Sequence, residues 1–210
     1  MTGRLIAFEG GEGAGKSTQA ALLADRLRAR GHEVVLTREP GGTPGAEVIR
    51  ALLLSGEPGR WSGVTEALLL NAARADHVER LIRPAMAAGK WVVTDRFVDS
   101  TYAYQGSGKG MRSGDLRTLH DIACGGLMPD RVIVLDAPVA EALARAKARG
   151  DGNRFEDEDL AFHERVRLGY WGLAEAAPDT YHIVETAGGI DATAERVWAE
   201  VTRLMPMHGA

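Results

Sequence analysis

Eight consecutive residues, Gly10-Gly11-Glu12-Gly13-Ala14-Gly15-Lys16-Ser17, carry the plainest chemical message in this 210-residue sequence. Glycines without side chains let successive backbone N–H groups turn toward an anion, and a helix that starts where the loop ends adds its positive pole. In the spacing G-x-x-x-x-G-K-S the lysine, Lys16, reaches the β- and γ-phosphates of a nucleotide, and the Ser17 hydroxyl is placed for Mg²⁺, with Thr18 next to it. With 26 glycines in the chain, a chance Gly-rich turn has to be weighed, but lysine is scarce (Lys16, Lys90, Lys109, Lys147) and one of the four completes the pattern. The context fits as well. The apolar run Leu5–Phe8 precedes the loop, and the stretch 17–30 carries Ala20, Leu23, Ala24 and Leu27 at helical spacing, with Gly31 just past its end. The segment is read as a nucleoside triphosphate site.

A second constellation is Thr94-Asp95-Arg96-Phe97. Asp95 can orient magnesium or its waters, and the planar fork of Arg96 can clamp a phosphate. Alone, the pair is equally an ion pair at a strand end. The continuation through Ser100, Thr101, Tyr104 and Gln105 adds hydroxyls, an aromatic plane and an amide, the groups that read a sugar and a nucleobase, although polar helix residues are also often just solvated. A third set, Arg145, Arg149 and Arg154, flanks the polar segment 150–154, which reads as a loop that can move. Cations on a closing loop neutralise charge on a transferring phosphoryl group. An arginine-rich helix is otherwise an ordinary solvated face, and it is the phosphate loop that favours the functional reading.

The elements that must position these groups follow from five short apolar runs at 5–8, 34–37, 91–94, 132–135 and 182–184, separated by helix-like stretches. Parallel strands need crossover connections and become apolar runs when both faces are buried, so the fold class expected is α/β, a five-stranded parallel sheet flanked by helices. Ligands in such sheets sit at the carboxyl ends of the strands, which singles out Glu9, Arg38, Asp95 and Asp136. The longest helical stretch, 64–82, has Leu68, Leu69, Ala72, Ala73 and Val78 as its expected apolar stripe, with Arg74 inside it and Pro84 disturbing the pattern beyond.

The length suits one domain spanning 1–210. A net charge of −4 and a pI near 5.9 give no basic field for nucleic acid. The lone Cys124 has no metal or redox partner nearby in sequence and is expected to fill core. Neither a signal segment nor a run of about 20 apolar residues is found, so the reading is cytoplasmic, without a membrane anchor.

The order and spacing of Phe8-Glu9-Gly10, the phosphate loop with Ser17-Thr18-Gln19, Thr37-Arg-Glu-Pro-Gly-Gly-Thr43, Ala72-Ala-Arg74, Asp95-Arg96-Phe97 and the stretch 100–106 resemble the thymidylate kinase family over nearly the whole chain. The resemblance implies the P-loop NTPase fold with a short mobile lid at about 145–157, a homodimer, and transfer of the γ-phosphoryl of ATP to dTMP with Mg²⁺. It implies that Glu9 and Asp95 lie near magnesium, the acceptor phosphate and the sugar 3′-hydroxyl, and that Arg50 and Arg96 hold the dTMP phosphate. Arg74 would bond the thymine with Ser100, Thr101 and Gln105 nearby, Tyr104 would sit under the deoxyribose, and Arg145 would pack on adenine. Glu12 stands where some relatives carry a phosphate-loop Arg, which puts the catalytic arginine in the lid, at Arg149 or Arg154. Leu70 stands where relatives often carry a Phe stacked on thymine, a contact worth ~1–3 kcal/mol. Two alternatives stay open. Another nucleoside monophosphate kinase, for dUMP, UMP or CMP, shares almost all of this machinery, since the thymine methyl contributes only ~1 kcal/mol by burial. A P-loop switch NTPase is the more distant one, and the sequence lacks an Asn/Thr-Lys-x-Asp segment to read guanine.

Overall fold

The structure, a computed structural model, describes residues 3–150 and 152–205. The five apolar runs are strands: β1 (Arg4–Glu9), β2 (Val34–Arg38), β3 (Trp91–Asp95), β4 (Arg131–Asp136) and β5 (Tyr181–Glu185). They form one parallel sheet in the order β2-β3-β1-β4-β5. Arg38 pairs in register with Asp95, and Phe8 with Asp95 from the other side, so the carboxyl ends of β1, β2 and β3 finish abreast. β1 lies between β3 and β4, and the crevice where the winding changes direction opens above its end.

Alternation along β1 sorts two cores. Leu5 and Ala7 face a layer holding Val78, Ile82, Phe97, Val166 and Tyr170. Ile6 and Phe8 face Leu23, Leu27, Val197, Trp198 and Val201. The second layer is built by α1 (Lys16–Ala29) and α9 (Gly189–Thr202), and the expected face of α1, Ala20, Leu23, Ala24 and Leu27, is its buried one. The first layer receives α8 (Leu160–Ala176), whose N-terminus is capped by Asp159. It also receives the long unit that begins with α2 (Pro44–Leu54) and α3 (Gly63–His77).

One expectation changes on α3. Ala73 and Val78 are buried, but Leu68 and Ala72 are exposed, and the inward face is instead Glu66, Ala67, Asn71, Arg74 and His77. This helix turns its polar side inward because what it faces is a hydrogen-bonded site. Beyond it the pattern is disturbed as Pro84 leads one to expect: a π-helical turn at Val78–Ile82 hands over to α4 (Arg83–Ala87), at whose start the proline lies, and the chain stays helical across it.

The remaining elements are α5 (Val98–Thr101), which runs on as a π-helical segment through Gly108, then α6 (Ser113–Cys124) and α7 (Val139–Ala148). Cys124 is buried in the first core, where burial pushes its thiol up to about 11, in keeping with a filler. No helix among the described residues is long and apolar enough to cross a membrane.

Candidate active site

The phosphate loop follows β1 and ends at Gly15, which adopts φ +95° to launch α1. Gly13, at φ +68°, has no room for a side chain, since a Cβ there would fall 1.8 Å from the Ala142 carbonyl oxygen of α7. Lys16 folds back over the loop, its Nζ donating to the Gly11 carbonyl at 2.7 Å. Burial and the neighbouring Arg96 lower its ammonium to about 8. Ser17 donates its hydroxyl to one Asp95 oxygen, while Asp95 Oδ1 is buried without a partner among the described residues. An orphaned carboxylate oxygen beside a serine hydroxyl suits a hard divalent cation such as Mg²⁺, which takes few protein ligands and keeps waters and phosphate oxygens.

Arg96 stands at the centre. Its backbone adopts φ +71°, a strained conformation for a residue with a side chain, costing of order 1–3 kcal/mol. That twist, held by its N–H on the Phe8 carbonyl at 2.8 Å, aims the guanidinium back across the end of β1. The fork donates to Glu12 Oε1 at 2.8 Å, to the Tyr104 hydroxyl at 3.1 Å, and to Gly10 O, Ser100 Oγ and Tyr170 Oη. Burial alone would raise the Glu12 carboxyl, but Arg96 and Lys16 outweigh it and bring it to about 2. Glu12, expected with the nucleotide, therefore faces the second constellation.

Glu9 lies deeper. Fully buried, it accepts from the Phe97 and Ser100 N–H groups, the Ser100 hydroxyl at 2.6 Å and the Tyr170 hydroxyl at 2.9 Å. Burial raises its carboxyl above the ordinary range despite these donors. Glu9 thus braces the turn that presents Arg96 and Ser100.

Arg74 is held as tightly. Its Nε donates to Glu39 at 2.7 Å, Nη1 to Asn71, and Nη2 to the Phe97 carbonyl and the Thr101 hydroxyl at 3.0 Å. Glu39 also bonds His77, whose other ring nitrogen meets Thr37. Burial works against the Glu39 charge, yet Arg74 and His77 hold its carboxyl below the usual range.

One cleft of about 440 Å³ joins these groups. At one end are Gly13, Gly15, Lys16, Ser17, Thr18 and Asp95, with Glu12 reaching across to Arg96. At the other lie Arg50, Leu70, Arg74, Arg96, Ser100, Tyr104 and Gln105. Arg149 and Phe155 of the lid segment close one side. Arg50 donates to the Pro40 carbonyl and is half-buried, its guanidinium lowered by burial and by Arg38. Thr101 is buried behind the wall, where it accepts from Arg74. Gly10, Gly11 and Ala14 lie on the far side of the loop, around a small cavity against β4 and α7.

Three expected groups stand apart. Arg145 is exposed on α7, outside the cleft wall. Arg154 is fully buried and pairs with Glu66 at 2.6 Å instead of entering the cleft. Asp136, at the end of β4, is held by both arms of Arg167 at 2.8 Å and by Trp171, and serves as an ion pair. The reverse also occurs. Glu39, His77, Tyr170 and Phe155 belong to the site without having been assigned to it. Glu39 sits in the quoted 37–43 segment, so a signal existed, whereas Tyr170 comes from 74 residues beyond Arg96 with no local mark.

Comparison with known proteins finds relatives over nearly the whole chain. A family model described as thymidylate kinase matches residues 8–197. The thymidylate kinase of Caulobacter vibrioides is 53% identical over 190 residues, covering 90% of this chain and 91% of that protein. That of Rhizorhabdus wittichii is 50% identical over 208 residues, covering 98% and 100%. A crystal structure of thymidylate kinase from Ehrlichia chaffeensis superposes with a TM-score of 0.80 at 31% identity, covering 96% of this chain and 99% of that one. The chain, with its five-stranded parallel sheet and phosphate loop in the P-loop NTPase fold, belongs to the thymidylate kinase family.

Proposed function

We propose that this chain transfers the γ-phosphoryl group of ATP to dTMP, with Mg²⁺, forming ADP and dTDP in the cytoplasm. The observation that carries the reading is the single cleft in which a phosphate loop faces a second anion site built on Arg96 and Arg50, with Arg74 and Gln105 beyond it. A switch NTPase needs only the first half.

The acceptor phosphate has a second pKa of ~6, so at neutral pH it is already a nucleophilic dianion and needs no general base. What the protein must supply is alignment of two polyanions and relief of their repulsion. Lys16 holds the donor phosphates, and Arg96 with Arg50 holds the acceptor phosphate in line. Ser17 and Asp95 would hold the metal, which when bound neutralises charge on the β- and γ-oxygens. Glu12, anionic between Arg96 and Tyr104, restrains the Arg96 fork and offers a lone pair to the deoxyribose side. Tyr104 lies under that position and disfavours a 2′-hydroxyl. Arg74 keeps one Nη1 hydrogen for the base, its other four being engaged. The lid bearing Arg149 excludes water, which would otherwise take the phosphoryl group.

The functional unit we propose is a homodimer of single-domain chains. On α2, Val48 is 66% exposed and Leu52 lies one turn on. On α3, Val64, Leu68 (52% exposed) and Ala72 form a matching exposed stripe. These two helices pack together and offer one apolar face to a second copy.

The test is ADP formation from ATP against dTMP, dUMP, UMP, CMP, AMP and GMP. Strong preference for dTMP is expected. Preference for another monophosphate would reassign the acceptor, and slow hydrolysis indifferent to all six would overturn the kinase reading.

A further inference from the structure

Glu66 has no part in the chemistry above, yet it is a carboxylate with 0% exposure, on the face of α3 that carries Leu70 one turn later and Arg74 two turns later. A charge so placed is tolerated only when strong donors surround it. Glu66 draws them from separate parts of the chain. Its Oε1 accepts from Arg154 Nη1 at 2.6 Å and from Lys109 Nζ at 2.8 Å, and its Oε2 accepts from Gln105 Nε2 at 2.8 Å. Lys109 also reaches Glu158 at 3.3 Å. Arg154 is fastened a second time, its Nε donating to the Leu53 carbonyl at 2.5 Å near the end of α2. Its guanidinium lies 4.2 Å over the ring of Phe155, and that ring stands edge-on to Tyr104 at 5.8 Å, in the cleft wall.

We infer that Glu66 is a positioning residue for acceptor binding: one buried carboxylate latches the lid through Arg154 and orients Gln105, so that lid position and base recognition are set together. A carboxylate only accepts hydrogen bonds, so Gln105 must turn its NH₂ toward Glu66. The Gln105 Oε1 is left without a partner among the described residues, an acceptor fitted to the imide N–H of a thymine or uracil ring and unsuited to cytosine, whose N3 is itself an acceptor. The same carboxylate, through Arg154, holds Phe155 in the cleft wall. The lid thereby supplies the aromatic surface that Leu70 does not. The inference rests on the cleft being the dTMP site, and it gives Arg154 a task other than contact with the transferring phosphate.

The experiment compares Glu66→Gln with the unaltered enzyme in steady-state kinetics and in tryptic cleavage of the nucleotide-free protein. Loss of a buried charge-assisted pair should raise KM for dTMP about tenfold or more. KM for ATP should change less than about twofold. The Arg154–Phe155 bond should be cut faster once Arg154 is released, with cutting after Arg149 unchanged. An unchanged KM for dTMP, or cleavage at Arg154 no faster than in the parent, overturns the latch. Arg154→Met covers the case in which the Glu66 variant does not fold. A latch predicts the same selective rise in KM with kcat held within a few fold, whereas a fall in kcat by orders of magnitude at constant KM returns Arg154 to the phosphates and overturns it. Should the unaltered chain fail to phosphorylate dTMP, the proposed function falls, and the cleavage comparison, which needs no nucleotide, still decides the latch.

Discussion

Arg74 is held on four of its five N–H donors, so it presents its last donor to the base as a fixed template. Truncation to Ala would leave the buried Glu39 with His77 alone, without its arginine, and confuse recognition with folding. Arg74→Lys keeps a cation opposite Glu39 but loses the planar fork, and should raise KM for dTMP about tenfold with KM for ATP unchanged. Equal KM values for dTMP in variant and parent would make Arg74 structural. Behind it, Asp99 accepts from the Tyr181 hydroxyl at 2.8 Å, and burial together with Glu9 pushes its carboxyl up to about 7. The folded chain therefore keeps a proton that the unfolded chain releases from about 3.8 upward, so stability falls as pH rises from about 4 to about 7. Asp99→Asn escapes that loss. Thermal unfolding across pH 4–8 should show the variant gaining on the parent as pH rises, and a pH-independent gap would mean that Asp99 ionises in the fold without cost. Residues whose chemistry is local, such as Lys16 and Ser17, are legible in sequence because the spacing of the phosphate loop defines them. His77 and Tyr170 are not, because their roles arise from contacts across 38 to 161 residues that no local pattern encodes, while Glu39 lies in a marked segment whose partner, 35 residues away, that segment does not name.

Among the elements, the inner strands β1, β3 and β4 were readable because a parallel strand covered on both faces has to be apolar throughout, and the edge strand β2 was readable from its short apolar run although Leu36 is exposed. The helix α3 was readable as a helix but its inward face was not, because that face binds Glu39, Gln105 and Arg154 and is polar by necessity, while Leu68 points outward. Hydrophobic period marks the inside of an element only where the inside is oil. The loop between β1 and α1 shows the opposite case, in which backbone geometry decides. A Cβ on Gly13 would collide with the α7 backbone at φ +68°, while one on Gly11 would meet nothing within 4 Å. Gly13→Ala must push the phosphate loop away from the helix that leads into the lid. It should destabilise by about 1–3 kcal/mol and raise KM for ATP about tenfold. Gly11→Ala should leave the midpoint of thermal unfolding close to that of the parent. Comparable effects of the two substitutions would show that the close approach of Gly13 to Ala142 does not govern the loop.

At the scale of the whole molecule, composition bears on the field the chain presents: a net charge of −4 offers little attraction to a polyanionic polymer and leaves anion recognition to local clusters of arginine. It was silent about assembly. The outward leucine of α3 that upset the expected stripe belongs with Val48, Leu52 and Val64, and four exposed aliphatic side chains at one-turn spacing on two packed helices form a patch that a lone chain would leave in water. In the proposed dimer a two-fold arrangement would cover these side chains with their own copy. Leu68→Glu places like charges opposite each other near such an axis without touching the cleft. The unaltered chain should sediment as a dimer at micromolar concentration, and the variant as a monomer with a lower unfolding temperature, because association stabilises the folded state by mass action. Sedimentation of the unaltered chain as a monomer would remove the dimer from the proposal, and the thermal shift would then have to vanish with it.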